Sequence, residues 1–299
     1  VTYSIVARDP DTGELGVAVQ SMYFQVGPVV PWAEAGVGAV ATQSVVNVAF
    51  GPLGLDLMRG GLNARQALAA VLAGDREPDG RQCAMVDAAG GVAAYTGPRS
   101  IPAAGHRTGD GYSCQANLME RDTVWDAMAA AYENAAGRPL AERMIEALRA
   151  AEAEGGDIRG RQSAALLLVT GRPTGRAWED RLMDLRVEDH PDPVEELARL
   201  VRLRQAYTAV FAAGRALLRG DDAECRALSL EALRRAPEEA QTRLSAGLMH
   251  ARAGEWGDAL PLLRSIVEEE PRWPEALRRM ASVERIPPQL VAEIEQRLQ

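Results

Sequence analysis

Lysine is absent from this 299-residue chain: all 33 basic residues are arginine. No lysine can therefore act as a general base, form a Schiff base or depress the pKa of a neighbouring amine. Cysteine is scarce. Cys83, Cys114 and Cys225 are odd in number and widely spaced, so neither a disulfide framework nor a Cys-x-x-Cys metal motif is visible. The three histidines, His106, His190 and His250, form no His-x-x-x-His pair, and no metal or cofactor is expected. No apolar run approaches the ~18 residues that span a bilayer, so no membrane association is expected. A charged segment followed by an apolar one is also missing from the start, and the expected location is the cytoplasm. The net charge is −9, which argues against nucleic acid as the main partner, because neutralising phosphates needs a basic stripe. What the chain does have is apolar residues, 47% of the total, enough for a full core.

The length admits two domains. The first part alternates short strands with Gly-rich turns. Thr2 to Ala7 alternates polar and apolar residues, Asp9-Pro10-Asp11-Thr12-Gly13 is dense in turn formers, and Leu15 to Gln20 reads as a second strand. With the turn centred near Asp11 and Thr12, antiparallel pairing places Ser21 opposite Thr2. Further strands are expected at Val29 to Trp32 and Val37 to Gln43. Helices are expected at Pro52 to Arg59 and, capped by Asn63-x-x-Gln66, up to Ala73. A hairpin joins Gln82 to Asp87 with Val92 to Thr96. The stretch from Gly105 to Asn117 is polar and Gly-rich. Helices then cover about Thr123 to Ala136 and from Pro139, in a first turn, to about Glu154. Strands follow at Ser163 to Thr170 and Leu182 to Val187, and Asp192-Pro193 opens a long helix. Strands and helices come in blocks, which predicts an α+β fold with antiparallel sheets in separate layers.

The last third is helical and rich in alanine and leucine. Gly220 and Gly254, Pro237 and Pro271, and Ala213 and Gly247 are each 34 residues apart, the tetratricopeptide period. Ala246, Gly247 and Ala259 stand where that repeat uses small residues, whereas Arg243 and His250 stand where it uses aromatics. Two repeats and a partial third at Pro274 to Glu284 are expected, in a domain over 205–299 that follows a first domain over 1–204. A generic helical hairpin tail is the plainer alternative.

Thr2 carries the sharpest chemical reading. A threonine at a mature N-terminus is a self-contained nucleophile, its hydroxyl attacking while its own α-amine takes the proton. The expectation is that Val1 stands for an initiator residue that is removed before the small Thr2. Cys114 is a competing nucleophile, with His106 eight residues earlier as its base.

Three segments resemble a bacterial and archaeal domain family of unknown function. They are Thr2-Tyr3-Ser4-Ile5-Val6-Ala7-Arg8-Asp9-Pro10, Gly13 to Val19 and Gly36 to Gln43. So do Gly105-His106, Cys114-Gln115-x-Asn117, Gly156-Asp157-x-Arg159-Gly160-x-Gln162-Ser163 and Asp189-His190-Pro191-Asp192-Pro193. The resemblance covers about 2–204. That family is grouped with the N-terminal-nucleophile hydrolases, so the resemblance implies a four-layer αββα sandwich followed by the tetratricopeptide-like tail. It implies an amidohydrolase acting on a small amide or peptide through an acyl-enzyme. The implied catalytic set is Thr2, Ser21, Asn117, Asp157 and Ser163, with a Gly-rich backbone or the Asn117 side chain as the oxyanion donor. Asp157 and Ser163 resemble, with longer spacing, the acid and serine that proteasome-type members place late in the chain. Those members also use a lysine, which is missing here. Gln43, His106, Gln115, Arg159 and Gln162 are the expected substrate-binding residues. A homo-oligomer is expected, with the helical tail available to a protein partner. The alternative is a binding or scaffold protein that keeps the fold without catalysis.

Overall fold

The computed structural model describes residues 2–299, so the expected removal of Val1 lies outside the described residues. The chain divides into two compact units, the first ending at Val201 and the second running from Arg202 to Gln299.

Ten strands belong to the first unit: β1 Thr2–Arg8, β2 Leu15–Ser21, β3 Pro31–Glu34, β4 Gly38–Ser44, β5 Arg81–Asp87, β6 Val92–Thr96, β7 Gly105–Gly109, β8 Tyr112–Asn117, β9 Ser163–Val169 and β10 Arg181–Val187. Between them lie α1 Phe50–Arg59, α2 Ala64–Ala73, α3 Val124–Asn134, α4 Leu140–Ala153 and the short α5 Ala177–Asp180. Two sheets form, one in the order β10-β9-β2-β1-β8-β7 and one in the order β3-β4-β5-β6. Every neighbouring pair is antiparallel.

Three apolar clusters bind these elements. Val6, Val17, Val19 and Ala165 of the larger sheet meet Ala39, Ala41, Ala84 and Val86 of the smaller. On the other face of the larger sheet, Tyr3, Ile5, Cys114 and Leu166 pack with Met128 and Tyr132 of α3 and Met144 and Leu148 of α4. On the other face of the smaller sheet, Val40, Cys83 and Met85 pack with Phe50, Leu55, Leu68 and Val71 of α1 and α2. Strands β1 and β2 are thus covered on both faces, which is why even their polar residues Thr2, Ser4, Gln20 and Ser21 are buried. Each fully buried large side chain in these layers contributes roughly 1.5–3 kcal/mol.

The capping box forms as expected: Asn63 accepts from the Gln66 N–H at 3.0 Å, and Gln66 accepts from the Asn63 N–H at 3.1 Å. The polar, Gly-rich stretch from Gly105 to Asn117 forms the β7–β8 hairpin. Its Ser113, Gln115 and Asn117 are buried, where they bond to protein groups instead of to water. The third strand begins at Pro31, since the N–H groups of Val29 and Val30 both turn back to the Val26 carbonyl. The helix expected from Pro52 already starts at Phe50, and Pro139 precedes α4 in extended conformation instead of joining its first turn.

Helix α6 Pro193–Leu218 begins in the first unit and ends in the second, which continues as helices α7 Asp222–Arg235, α8 Ala240–Arg252, α9 Trp256–Glu269, α10 Trp273–Ser282 and α11 Pro288–Leu298. Gly220 and Gly254 both adopt left-handed φ, +77° and +74°, just before α7 and α9. Gly247 is small for packing: a Cβ there would meet Leu263 at 3.0 Å. No described helix is long and apolar enough to cross a membrane.

Candidate active site

Alternation along β1 decides what faces what. Tyr3, Ile5 and Ala7 enter the helix-side cluster, while Ser4 donates across to Gln43 Oε1 of β4 at 2.6 Å. Thr2, two residues away, shares the Ser4 face. The register then assembles a row at the end of the larger sheet. Thr2 lies opposite Ser21 on one side and Asn117 on the other, and Ser21 lies opposite Ser163. Four of the five expected catalytic residues thus form one cross-strand line, Ser163–Ser21–Thr2–Asn117. The Thr2 hydroxyl donates to Ser21 Oγ at 3.0 Å.

A second tier of neutral amides backs this row. Gln43 Nε2 lies 3.2 Å from the Thr2 carbonyl oxygen and 2.7 Å from Gln82 Oε1. Asn117 Nδ2 donates to Gln82 Oε1 at 2.8 Å and lies 3.4 Å from the same Thr2 oxygen. Gln82 Nε2 reaches the Ala116 carbonyl at 2.8 Å and Thr96 Oγ1 at 2.9 Å. Gln115 accepts from Ser113 and donates to Ser4. Gln43, Gln82, Gln115 and Asn117 are all buried. Gln43 and Gln115, expected to bind substrate, therefore have amides engaged inside the protein, where they fix β1. Gln82 was missed by sequence reasoning. It is the acceptor shared by Gln43 and Asn117, and a glutamine on the same strand face as Ala84 and Val86, which enter the cluster between the sheets, was the available signal.

Asp157 follows Gly155 and Gly156, both at positive φ, and its carboxylate is fully buried. It accepts from the Met22 N–H at 3.2 Å, one residue beyond Ser21, and from Arg159 Nη2 at 2.9 Å. Burial pushes this carboxyl up, but the Arg159 guanidinium and backbone N–H outweigh burial, and the net shift is downward. A carboxylate depressed by folding stabilises above its ordinary value of 3.8, and that contribution disappears as pH falls through the lower folded value. Asp157→Asn is therefore expected to cost about 1–2 kcal/mol near neutral pH, with the gap to the native protein closing in acid below the ordinary carboxylate range. Urea unfolding midpoints measured across that range check this.

Ser163 also ties the row to the loop after β2. Its hydroxyl donates to the Tyr23 carbonyl at 2.5 Å and accepts from the Val26 N–H at 3.1 Å, clamping the loop after β2. Gln162 is half-buried, and its carbonyl accepts from His190 N–H at 2.8 Å. His106 is exposed on β7, with Nδ1 2.8 Å from Thr96 Oγ1, and lines a cavity of about 550 Å³ with Ser100, Pro102 and Trp125. Partial desolvation of its ring lowers its pKa, which favours the neutral imidazole. Cys114 is fully buried on the helix-side face of β8, away from the Thr2 row, and burial drives its thiol pKa well up. This is the environment of an inert thiol, which removes the geometric basis for a Cys114–His106 pair. Among the described residues, one group has metal-ligand spacing, His250, Glu255 and Asp258 in the second unit. There Glu255 already pairs with His250 and with Arg226.

Backbone strain gathers at the same end of the sheets. Gln25, Ser44, Ala103 and Leu118 are non-glycine residues with φ between +54° and +70°, and each lies within a few residues of a strand end beside the Thr2 row. Left-handed conformation costs an ordinary residue roughly 1–2 kcal/mol, and strained residues concentrate where function imposes a geometry.

Residues 2–197 match the model of a family of unknown function, DUF1028. The chain belongs to DUF1028. A crystal structure of another DUF1028 protein, SPO2555 from Silicibacter pomeroyi, is similar at 29% identity with a TM-score of 0.60, covering 67% of this chain and 88% of that one. No curated protein matches the chain. The DUF1028 region contains the whole Thr2 row together with Asp157, Arg159 and the amide tier, and it ends before the second unit.

Proposed function

We propose that this DUF1028 chain is an N-terminal-threonine amidohydrolase. The observation that carries the reading is the hydrogen bond from Thr2 Oγ1 to Ser21 Oγ, within a row that also holds Asn117. Two facing sheets with helices on both outer faces also follow the layer order of the N-terminal-nucleophile hydrolases, in which the first strand presents the nucleophile.

The reaction follows from these atoms. Once residue 1 is removed, the free α-amine of Thr2 takes the proton from Oγ1 as that oxygen attacks the amide carbon. Ser21 orients the hydroxyl. The tetrahedral intermediate collapses, the amine leaves with the transferred proton, and the acyl group remains on Oγ1 as an ester. Water, activated by the same α-amine, then hydrolyses the ester. An α-amine titrates near 7.7–8.0 when unperturbed, so a useful neutral fraction exists at about neutral pH. No lysine is available to the site; beside Ser21, the buried Asp157 carboxylate, paired with the exposed Arg159 guanidinium, holds the Met22 N–H.

In the second unit, α7 and α9 begin 34 residues apart, at Asp222 and Trp256, and the paired glycines precede them. This supports a tetratricopeptide-like tail that contacts a protein partner or a second copy.

Intact-mass measurement of protein purified from cells, followed by trapping with a hydroxyl-reactive electrophile and peptide mapping, tests the reading. The expected result is a chain beginning at Thr2 with the label on that residue. A chain that retains the preceding residue and takes no label would favour the non-catalytic scaffold reading.

A further inference from the structure

The Thr2 end of the sheets is rimmed by apolar side chains. Strands β2, β4, β6 and β8 end there, and β1, β5, β7 and β9 begin there, so the connecting loops surround the row. Those loops expose Tyr23 at 52%, Phe24 at 56%, Val45 at 53%, Val46 at 38%, Ile101 at 41% and Ile158 at 56%. Exposed apolar residues scattered singly need no explanation, but concentration at one place marks a binding surface. Within the first unit, Leu53 and Trp178 are the other large apolar side chains that stand exposed away from these loops among the described residues.

The rim is held together by its backbone. Leu118 N–H donates to the Ile101 carbonyl at 3.3 Å, and Ile158 N–H donates to the Leu118 carbonyl at 3.3 Å. Met22 N–H reaches Asp157, next to Ile158, and Ser44, next to Val45, reaches Ser100, next to Ile101. The left-handed residues Gln25, Ser44 and Leu118 sit in the same loops, so these segments are held in place against their conformational preference. Inside the rim the polar groups of the Thr2 row are hydroxyls and an amide, and the Asp157 carboxylate is buried and paired.

We infer that the substrate of this site is an amide whose acyl part is a large apolar group, held against the Tyr23, Phe24, Val45, Val46, Ile101 and Ile158 rim. The inference rests on the amidohydrolase reading for its chemistry. Attack by Thr2 Oγ1 leaves the acyl group bonded to the protein while the amine departs, so the acyl side is the part that the surrounding loops hold through both half-reactions. Burial of each added methylene against such a rim is expected to strengthen binding about fourfold.

The test uses full-length protein carrying Thr2→Ala, which binds without turnover. Calorimetry compares acetanilide, hexanoylanilide, succinylanilide and the amine-side homologue N-hexylacetamide. Hexanoylanilide is expected to bind at least tenfold more tightly than acetanilide and succinylanilide, and the added substitutions Phe24→Ser or Ile158→Ser are expected to erase most of that gain. Both positions are exposed, so an unchanged thermal midpoint will show that the fold is kept. Equal affinities, no binding, or a preference for N-hexylacetamide would overturn the inference. So would light scattering that shows the rim substitutions splitting an oligomer, because the rim would then be a contact between copies. Hydrolysis of the same anilides by the native protein reports separately on the amidohydrolase reading.

Discussion

Thr2→Ala is expected to lower amide hydrolysis by at least about 10⁴-fold, while Thr2→Ser retains a measurable part of it. The size follows from what is lost. In the proposed mechanism, Oγ1 forms the bond to the acyl carbon, and nothing else in the row can replace it without moving β1. Losses of a principal nucleophile in related chemistry are of this order, and the residual rate then comes from binding and oxyanion donors alone. The substitution does little to stability. Among the described residues Thr2 Oγ1 donates to Ser21 at 3.0 Å, and such a bond contributes about 1 kcal/mol. Circular dichroism and thermal midpoints should therefore be nearly unchanged, which separates lost chemistry from lost folding. Serine keeps the hydroxyl and the amine on the same carbons and loses a methyl group. Unchanged turnover in Thr2→Ala, measured on a chain that begins at residue 2, would sink the enzymatic reading and leave the fold as a binding scaffold.

The site was legible where local rules determine geometry. The turn residues from Asp9 to Gly13 fix the β1–β2 hairpin, and the hairpin brings Ser21 opposite Thr2, as the antiparallel register confirms. The Asn63–Gln66 capping box is local in the same way. What was not legible depended on neighbours distant in sequence. Tyr112 to Asn117 is polar at alternate positions, a pattern that fits a strand but does not say what its polar side chains face. It becomes a central strand only because β4 and β5 supply Gln43 and Gln82 to satisfy its inward amides. Ser163 likewise depends on distant neighbours: its hydroxyl is engaged by Tyr23 and Val26, in a loop more than 130 residues away. The strain at Gln25, Ser44, Ala103 and Leu118 leaves no trace in residue type, since none of the four is glycine.

Gln82→Leu is expected to cost about 3–5 kcal/mol, more than any other single substitution in the amide tier. Leucine matches the volume closely, so no sizeable cavity forms and the penalty comes from polar groups left without partners. Gln82 Oε1 is the acceptor for both Gln43 Nε2 at 2.7 Å and Asn117 Nδ2 at 2.8 Å. Its Nε2 is a donor to the Ala116 carbonyl at 2.8 Å and the Gly105 carbonyl at 3.1 Å. Removing it withdraws one acceptor from two buried amides and one donor from two carbonyls. Each buried group left unsatisfied costs about 1–3 kcal/mol, and alternative contacts, such as the Thr2 and Gln115 carbonyls beside Gln43, recover part of the sum. Gln82→Glu separates the two halves of this effect. The carboxylate keeps the acceptor for Gln43 and Asn117 but cannot donate to Ala116 when ionised. In a fully buried position the protonated form is favoured, so Gln82→Glu should be less destabilised at low pH than at neutral pH. Urea unfolding of both variants at the two pH values measures this directly. A loss below about 1 kcal/mol for Gln82→Leu would mean that the tier does not hold β1. Because Gln43 and Asn117 both reach the Thr2 carbonyl, a tier that does hold β1 should also keep the nucleophile in register, and Gln82→Glu at neutral pH should lose activity together with stability.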